Sequence, residues 1–308
     1  MPFRLEHIHV FALIHDGKVT LFDTGMNIPA TYSSLEKSLN ALDRSITDID
    51  SIFITHFHGD HCGIAGRIKE LSGAVIHMSE TGEQILHNNG QEEVLARKIE
   101  TFYTEQGLPK NEVALLIELF RQFRKATIPF EIDELLDFNK TYRVGDAEFT
   151  ALSTPGHTRD HVCYYFGASG ILLAGDHVLP DITPNLGPDL FMPTFRPLKS
   201  FITSLSAIED LAVAGVFPAH GAPYTDLKGR IAEIKDHHVE RKNLIYDSVQ
   251  KGKKTAFQIS QDIFGTDLDQ FDRFLALNET YVHLIELLHE GLIKRETGQS
   301  TICYYVTT

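Results

Sequence analysis

Residues 55–63 read THFHGDHCG, which places His56, His58, Asp60 and His61 within six positions, directly after the apolar run Ile52-Phe53-Ile54. Histidine and aspartate are costly to bury unpaired, so four of them offer little to a helix or a strand. The stretch is either a solvated loop rich in histidine or a set of metal ligands. The remainder of the chain decides, by whether it supplies matching side chains.

Three further segments share this construction, a strand-like apolar run that stops at a metal-competent residue. Residues 149–152 lead to His157 in STPGHT, residues 171–174 to Asp176 in AGDH, and residues 213–217 to His220 in PAHG. Loops at the ends of a rigid sheet can gather ligands from distant sequence, and the adjacent Gly59, Gly156, Gly175 and Gly221 permit sharp turns. The result is five imidazoles and two carboxylates, too many for one tetrahedral zinc but suited to two ions sharing a bridge. Asp176 is the natural bridge because its two oxygens can each bind one ion. His56 and His58, at i and i+2 of an extended segment, point the same way and can hold one ion. Cys62 adjoins the cluster and is either a ligand or, more in keeping with free cysteine, a small residue packed behind the loop.

Composition narrows the partners. The chain has 308 residues, 43% hydrophobic and 23% charged, with a formal charge of −14. Such a balance opposes non-specific nucleic-acid binding, and no concentrated run of Lys and Arg offsets it. Cys62, Cys163 and Cys303 are far apart and odd in number, which argues against a disulfide framework. No apolar run reaches bilayer length, and MPFRLEHIHV lacks a signal-peptide core. A cytoplasmic protein with no membrane partner is expected.

Alternating residues on either side of Asp16-Gly17 predict an N-terminal hairpin, with His7 and His9 structural on one strand face. Helix-like stretches follow at residues 32–42 and 64–71, with strands at 52–54 and 74–77. A helical insertion spans about 83–125, with helices at 91–106 and 111–123 separated by Gly107-Leu108-Pro109 and Asn111 as N-cap. After Gly221 the strands stop. A long helix at 227–249 and two more at 255–263 and 275–289 precede a β-ribbon, the order of a winged helix. The expected division is 1–228 for a catalytic domain and 229–308 for the linking helix and winged-helix-like domain.

With these residues in hand, the chain resembles the metallo-β-lactamase superfamily: LFDTG, HFHGDH, TPGHT, AGDH and PAHG match its successive motifs over roughly residues 1–225. The resemblance implies an α/β fold, an αββα sandwich with the metals at one edge. It also implies that His56, His58 and His157 hold a first metal and Asp60, His61 and His220 a second, with Asp176 bridging. Zinc is expected, with iron or manganese compatible. The aspartate at 176 is similar to that of the glyoxalase II, lactonase and RNase Z groups, whereas the best-known β-lactamases have cysteine there. His238-Val-Glu-Arg241 and the C-terminal unit are similar to β-lactamase-like hydrolases bearing a winged helix.

The chemistry that follows is hydrolysis by a water made acidic between two cations, with Asp60 orienting it and Asp176 holding both ions. Asp23 either accepts a proton from a ligand imidazole or caps the turn at Thr24-Gly25. Tyr224 either donates to substrate or packs, and His238 and Arg241 read as solvated helix residues in preference to anion contacts. His161 and His177 are left out because alternation turns them away. Three functions stand: hydrolysis of a small thioester, ester or lactone, phosphodiester cleavage, and a non-enzymatic winged-helix regulator. Within 253–308 five basic residues face eight acidic ones, a poor reader of phosphates, and a complete ligand set disfavours the regulator. A small-molecule acyl substrate is preferred. Surplus apolar residues on 111–123 predict packing on the sandwich and a cover over the metal site, with homodimer contact as the alternative.

Overall fold

The structure is a computed structural model that describes residues 7–306; residues 1–6 of the N-terminal stretch read above lie outside it. The first sheet takes β1 (Phe11–His15), β2 (Lys18–Phe22), β3 (Ile49–Phe53), β4 (Val75–Met78) and β5 (Glu134–Leu135) in that order. It is antiparallel at β1–β2 and parallel elsewhere. The second takes β6 (Thr141–Val144), β7 (Ala147–Ser153), β8 (Val162–Phe166), β9 (Ile171–Gly175) and β10 (Gly215–Pro218), antiparallel until the parallel β9–β10 pair. The Asp16-Gly17 hairpin is present, with both residues at positive φ (45° and 80°), as a two-residue turn matched to strand twist requires.

Period-two alternation sorts each strand's side chains into layers. Phe22, Phe53, Phe149 and Tyr164 meet between the sheets, with the Phe53 and Phe149 rings 5.0 Å apart edge to face. Val19, Leu21 and Ile52 point outward, where α1 (Pro29–Asn40) and α3 (Ala65–Ser72) cover them through Leu39 and Ile68. On the far side Leu172, Ala174 and Val216 pack under α7 (Pro197–Ile208) and α8 (Leu227–Gln250) through Phe201, Leu205, Ile231 and Ile234. The layers are helix, sheet, sheet, helix. Burying each of these Phe, Leu or Ile side chains contributes about 1.5–3 kcal/mol. The short α2 (Gly59–Cys62) carries part of the histidine cluster.

The insertion holds α4 (Glu80–Gly90), α5 (Glu92–Glu105) and α6 (Lys110–Lys125). Asn111 sits inside the first turn of α6 and Pro109 precedes it. The expectation that α6 packs on the sandwich is corrected, whereas α4 does so through Leu86. Leu95, Ile99, Tyr103, Val113 and Leu116 form one core with Ile245, Val249, Phe257, Leu277 and Leu284 of the C-terminal unit. Phe120 packs 5.7 Å from Phe274 and Phe123 6.1 Å from Phe271, ring centre to ring centre. An amphipathic face states that it must be buried but not against what, and here the chain's own last helices cover it. The end of α6 approaches the histidine cluster, where Ala126 and Thr127 crowd Gly59.

The C-terminal unit comprises β11 (Lys254–Thr255), α9 (Ala256–Phe264), α10 (Gln270–His289), β12 (Lys294–Thr297) and β13 (Ile302–Tyr305). The expected ribbon is β12–β13, and β11 adds a third strand beside β13. A capping box between Thr255 and Gln258 starts α9. Among the described residues no helix is long and apolar enough to cross a membrane.

Candidate metal centre

β3, β7, β9 and β10 end at the same edge of the two sheets, and each hands over to one of the segments identified by sequence. His56 and His58 lie in the extended stretch after β3, and Asp60 and His61 in α2. His157 follows β7, Asp176 follows β9 and His220 follows β10. Backbone bonds lock the loops together: Val162 N–H donates to Thr55 O at 2.9 Å and Ala219 N–H to Gly175 O at 2.9 Å. Gly175 has φ +51°, and a Cβ there would lie 2.7 Å from His161 Nε2, so glycine is required both by backbone and by space.

All seven predicted side chains come together. His58 Nδ1 lies 3.0 Å from His56 Nε2 and 3.1 Å from His157 Nε2. A second trio forms around His220 Nε2, 3.5 Å from Asp60 Oδ2, and His61 Nε2, 3.9 Å from the same oxygen. Asp176 stands between the trios. Its Oδ2 is 3.6 Å from His157 Nε2, while its Oδ1 is 3.4 Å from His61 Nε2 and 3.5 Å from His220 Nε2. The donor atoms of each trio lie within 4.8 Å of one another.

The outer hydrogen bonds dictate which nitrogen of each ring is free. His61 Nδ1 donates to Asp23 Oδ2 at 2.8 Å, His157 Nδ1 to Asn185 O at 2.8 Å and His220 Nδ1 to His7 O at 2.6 Å. Thr55 Oγ1 gives its proton to Asp23 Oδ2 at 2.8 Å, so it accepts from His56 Nδ1 at 3.0 Å. In their neutral forms these four rings turn Nε2 lone pairs toward the centre. His58 Nδ1 has one proton at most, so it can satisfy only one of its two neighbours. His61 Nε2, His220 Nε2 and Asp176 Oδ1 are buried without a hydrogen-bond partner. Converging acceptors of this kind repel one another unless a cation sits among them, so the residues fit divalent metals.

Electrostatics agree. Burial, with the neighbouring imidazoles, holds His56 well below the ordinary histidine range and His58 at about 3, so both rings are neutral donors. Burial opposes charge on His61, but the carboxylates of Asp176, Asp23 and Asp60 outweigh it and hold this imidazole well above its usual range, so that a proton on Nε2 answers them where a divalent ion would otherwise do so. Burial raises the Asp60 carboxyl, yet His61 and His220 bring it down to about 2. No Lys or Arg pairs with Asp23, Asp60 or Asp176 among the described residues, so the potential at the centre favours positive charge.

Several alternatives left open by sequence are resolved. Asp23 follows β2 at φ 62°, and its carboxylate also accepts from Thr55 N–H at 2.8 Å; it orients His61 in preference to capping its own turn. Cys62 is buried, donates to Phe57 O at 3.2 Å and belongs to neither trio. Tyr224, left open between a substrate donor and a packed residue, packs against the core and donates to Val178 O at 3.1 Å. His161 was excluded by strand alternation, and that is corrected: its Nε2 accepts from Asp176 N–H at 3.1 Å, steadying the bridge. His177 is buried away from both trios against Phe201.

Sequence reasoning missed Thr55, Asn185 and the backbone of His7. Thr55 was within the quoted motif, but Asn185 and His7 act through carbonyl oxygens, which carry no residue signature. His238 and Arg241 are not solvated, another correction. His238 is buried and its Nδ1 donates to His283 Nε2 at 3.2 Å, while Arg241 stacks 4.3 Å over the Phe264 ring, with its Nε 4.0 Å from Glu279 Oε1.

A family model described as "Metallo-beta-lactamase superfamily" matches residues 4–220, and one described as "Metallo-beta-lactamase-like, C-terminal domain" matches 243–308. A Bacillus subtilis protein named "Probable metallo-hydrolase" is 26% identical over 311 residues, covering 98% of this chain and 94% of that one. An atrochrysone carboxyl ACP thioesterase of Aspergillus chevalieri is 21% identical over 272 residues, covering 86% and 70%. The crystal structure of a metallo-beta-lactamase family protein from Thermus thermophilus superposes with a TM-score of 0.87 at 28% identity, covering 100% of this chain and 96% of that one. With the motifs, the layered sheets and the converging donors, these likenesses establish that the chain belongs to the metallo-beta-lactamase superfamily and is a metal-dependent hydrolase of it.

Proposed function

We propose that the chain hydrolyses a small acyl substrate, a thioester first and then an ester or lactone, as glyoxalase II-like enzymes do, at a centre holding two divalent ions. His56, His58 and His157 would hold one ion and Asp60, His61 and His220 the other, with Asp176 shared between the two sets. Zinc suits the histidine-rich set, with iron or manganese compatible. The observation that carries this reading is the split of the Asp176 carboxylate, one oxygen toward His157 and the other toward His61 and His220. A name shared by several relatives, carboxyl ACP thioesterase, supports an acyl thioester as the substrate.

Bound ions at these residues would supply an acid-shifted water and polarise the scissile carbonyl. The protein's part is placement. Asp23 and Thr55 hold His61 and His56 in the tautomers that face the centre, the Asn185 and His7 carbonyls do so for His157 and His220, and His161 holds the Asp176 backbone. Asp60, held ionised by His61 and His220, accepts a hydrogen bond from the attacking water. For a thioester the water oxygen forms the new C–O bond, the C–S bond breaks, and the products are a carboxylic acid and a thiol.

We read α9, α10 and the β12–β13 ribbon as a winged helix used for packing, within a C-terminal unit of residues 229–308 behind a catalytic domain of 1–228. Its excess of acidic residues disfavours a nucleic-acid partner. The test is elemental analysis of purified protein followed by a screen against thioesters, lactones, phosphodiesters and β-lactams. Two ions per chain with thioester turnover fits the proposal; a single tightly held ion, or turnover of phosphodiesters alone, defeats it.

A further inference from the structure

A cavity of about 410 Å³ lies where α5, the segment 188–195 and the C-terminal ribbon meet. Three cations line it, Arg97 and Lys98 of α5 and Arg295 of β12, in a chain whose formal charge is −14. Arg97 and Arg295 are exposed and form no ion pair among the described residues. Of the two acids in the wall, Asp189 is already engaged by Arg159 Nε at 2.7 Å, leaving Glu105. The floor is aromatic, with Phe102 and Tyr281 edge to face at 4.8 Å. Two unengaged guanidinium groups over an aromatic floor match an anionic oxyacid group attached to an organic body.

One stretch of chain links the cavity to the metal centre. Asn185, whose carbonyl accepts from His157, is four residues before Asp189, and Arg159 is two residues after His157. Lys98 ties α5 to the same stretch by donating to Leu190 O at 3.0 Å.

We propose that this cavity binds the phosphate- or carboxylate-bearing carrier end of an acyl thioester whose carbonyl reaches the metal centre. The inference rests on the thioesterase reading and adds to it the recognition of an anionic leaving group. Arg97 and Arg295 determine specificity and leave the bond-breaking step to the metal ligands.

The test is calorimetric titration of the metal-loaded full chain with coenzyme A, with pantetheine, which lacks the phosphates, and with glutathione, which carries carboxylates. All three have a free thiol for the metal centre, so preference among them reads the anion. Either coenzyme A or glutathione should bind about tenfold or more tighter than pantetheine, and the better binder identifies phosphate or carboxylate as the anion. The double variant Arg97→Ala/Arg295→Ala should erase that preference while leaving hydrolysis of acyl-pantetheine unchanged. Equal binding of all three thiols by the wild type, or a preference that survives in the double variant, overturns the proposal. Arginine-dependent binding without hydrolysis of the corresponding acyl thioester keeps the anion site and overturns the thioesterase reading.

Discussion

Two buried clusters in this chain are built from the same residue types and differ in what they can do. The first is the seven-residue group at the strand ends. The second lies between α8 and α10, where His237 Nε2, His238 Nδ1 and His283 Nδ1 stand 3.7, 3.9 and 3.9 Å from Glu279 Oε1. By proximity alone His237, His238 and Glu279 form a metal-competent trio like those of the first cluster. The difference lies in polarity and charge. In the second, His283 Nδ1 donates to Glu279 O at 2.7 Å, which leaves its Nε2 to accept from His238 Nδ1. Arg241 supplies a fixed positive charge beside the Glu279 carboxylate. His238 Nε2, Arg241 Nε and Glu279 Oε1 keep no hydrogen-bond partner there, but the His238 and His283 rings bond each other and the Arg241 guanidinium offsets the carboxylate, so the cluster ties two helices together. In the first, acceptors outside the rings take every available Nδ1 proton of four histidines, and no guanidinium or ammonium answers the carboxylates. Histidine content does not make a metal centre; the direction of the lone pairs does.

That contrast is open to attack at both ends. The largest effect is expected from Asp176→Asn, which removes the charge shared by the two trios. Metal retention should fall and hydrolysis drop roughly a thousandfold, beyond the roughly 10–100-fold typical of outer-shell changes. Elemental analysis showing full metal content in an active variant would break the bridging assignment. Asp23→Asn comes next. Asparagine tolerates the positive φ but accepts less strongly from His61, and a loss of about 10–100-fold in metal affinity or activity is expected, read by competition with a chelator. An unaltered competition curve would return Asp23 to a turn residue.

The second cluster should answer with stability instead. Burial holds His238 at about 3, against 6.5 for a free histidine, so the unfolded chain binds more protons across that interval. Its contribution to stability is therefore complete above about pH 6.5 and is lost as pH falls toward about 3. Denaturant titrations of His238→Gln should show a shallower acid slope than wild type, and an identical slope would remove His238 as its source. The smallest effect is the most discriminating. His238→Ala should cost about 1–3 kcal/mol of stability yet leave both the metal count and the rate at neutral pH unchanged. Loss of one equivalent of metal would show that the two clusters are alike after all.

By itself the sequence picked out the seven side chains that converge at the strand ends and the strands that deliver them. HFHGDH is local, and each remaining candidate ligand follows its own apolar run, so spacing was enough to single them out. The layers were implied by the resemblance of the motifs to the metallo-β-lactamase superfamily, since the runs at 52–54 and 171–174, which fall in and beside β3 and in β9, are continuously apolar and do not show two faces. Tertiary structure decided the rest. Whether Asp23 orients a ligand or caps a turn depends on where β2 ends relative to α2. His161 supports Asp176 because the bend at Gly175 brings the backbone to its ring, which ideal alternation cannot foresee. Asn185 and His7 contribute carbonyls, which every residue possesses and no motif records. The helices α4 and α7 escaped the reading at residues 80–90 and 197–208. The insertion's partner was equally hidden, because hydrophobic burial is non-directional: an apolar face on α6 requires cover, and only the folded chain specifies that α10 supplies it.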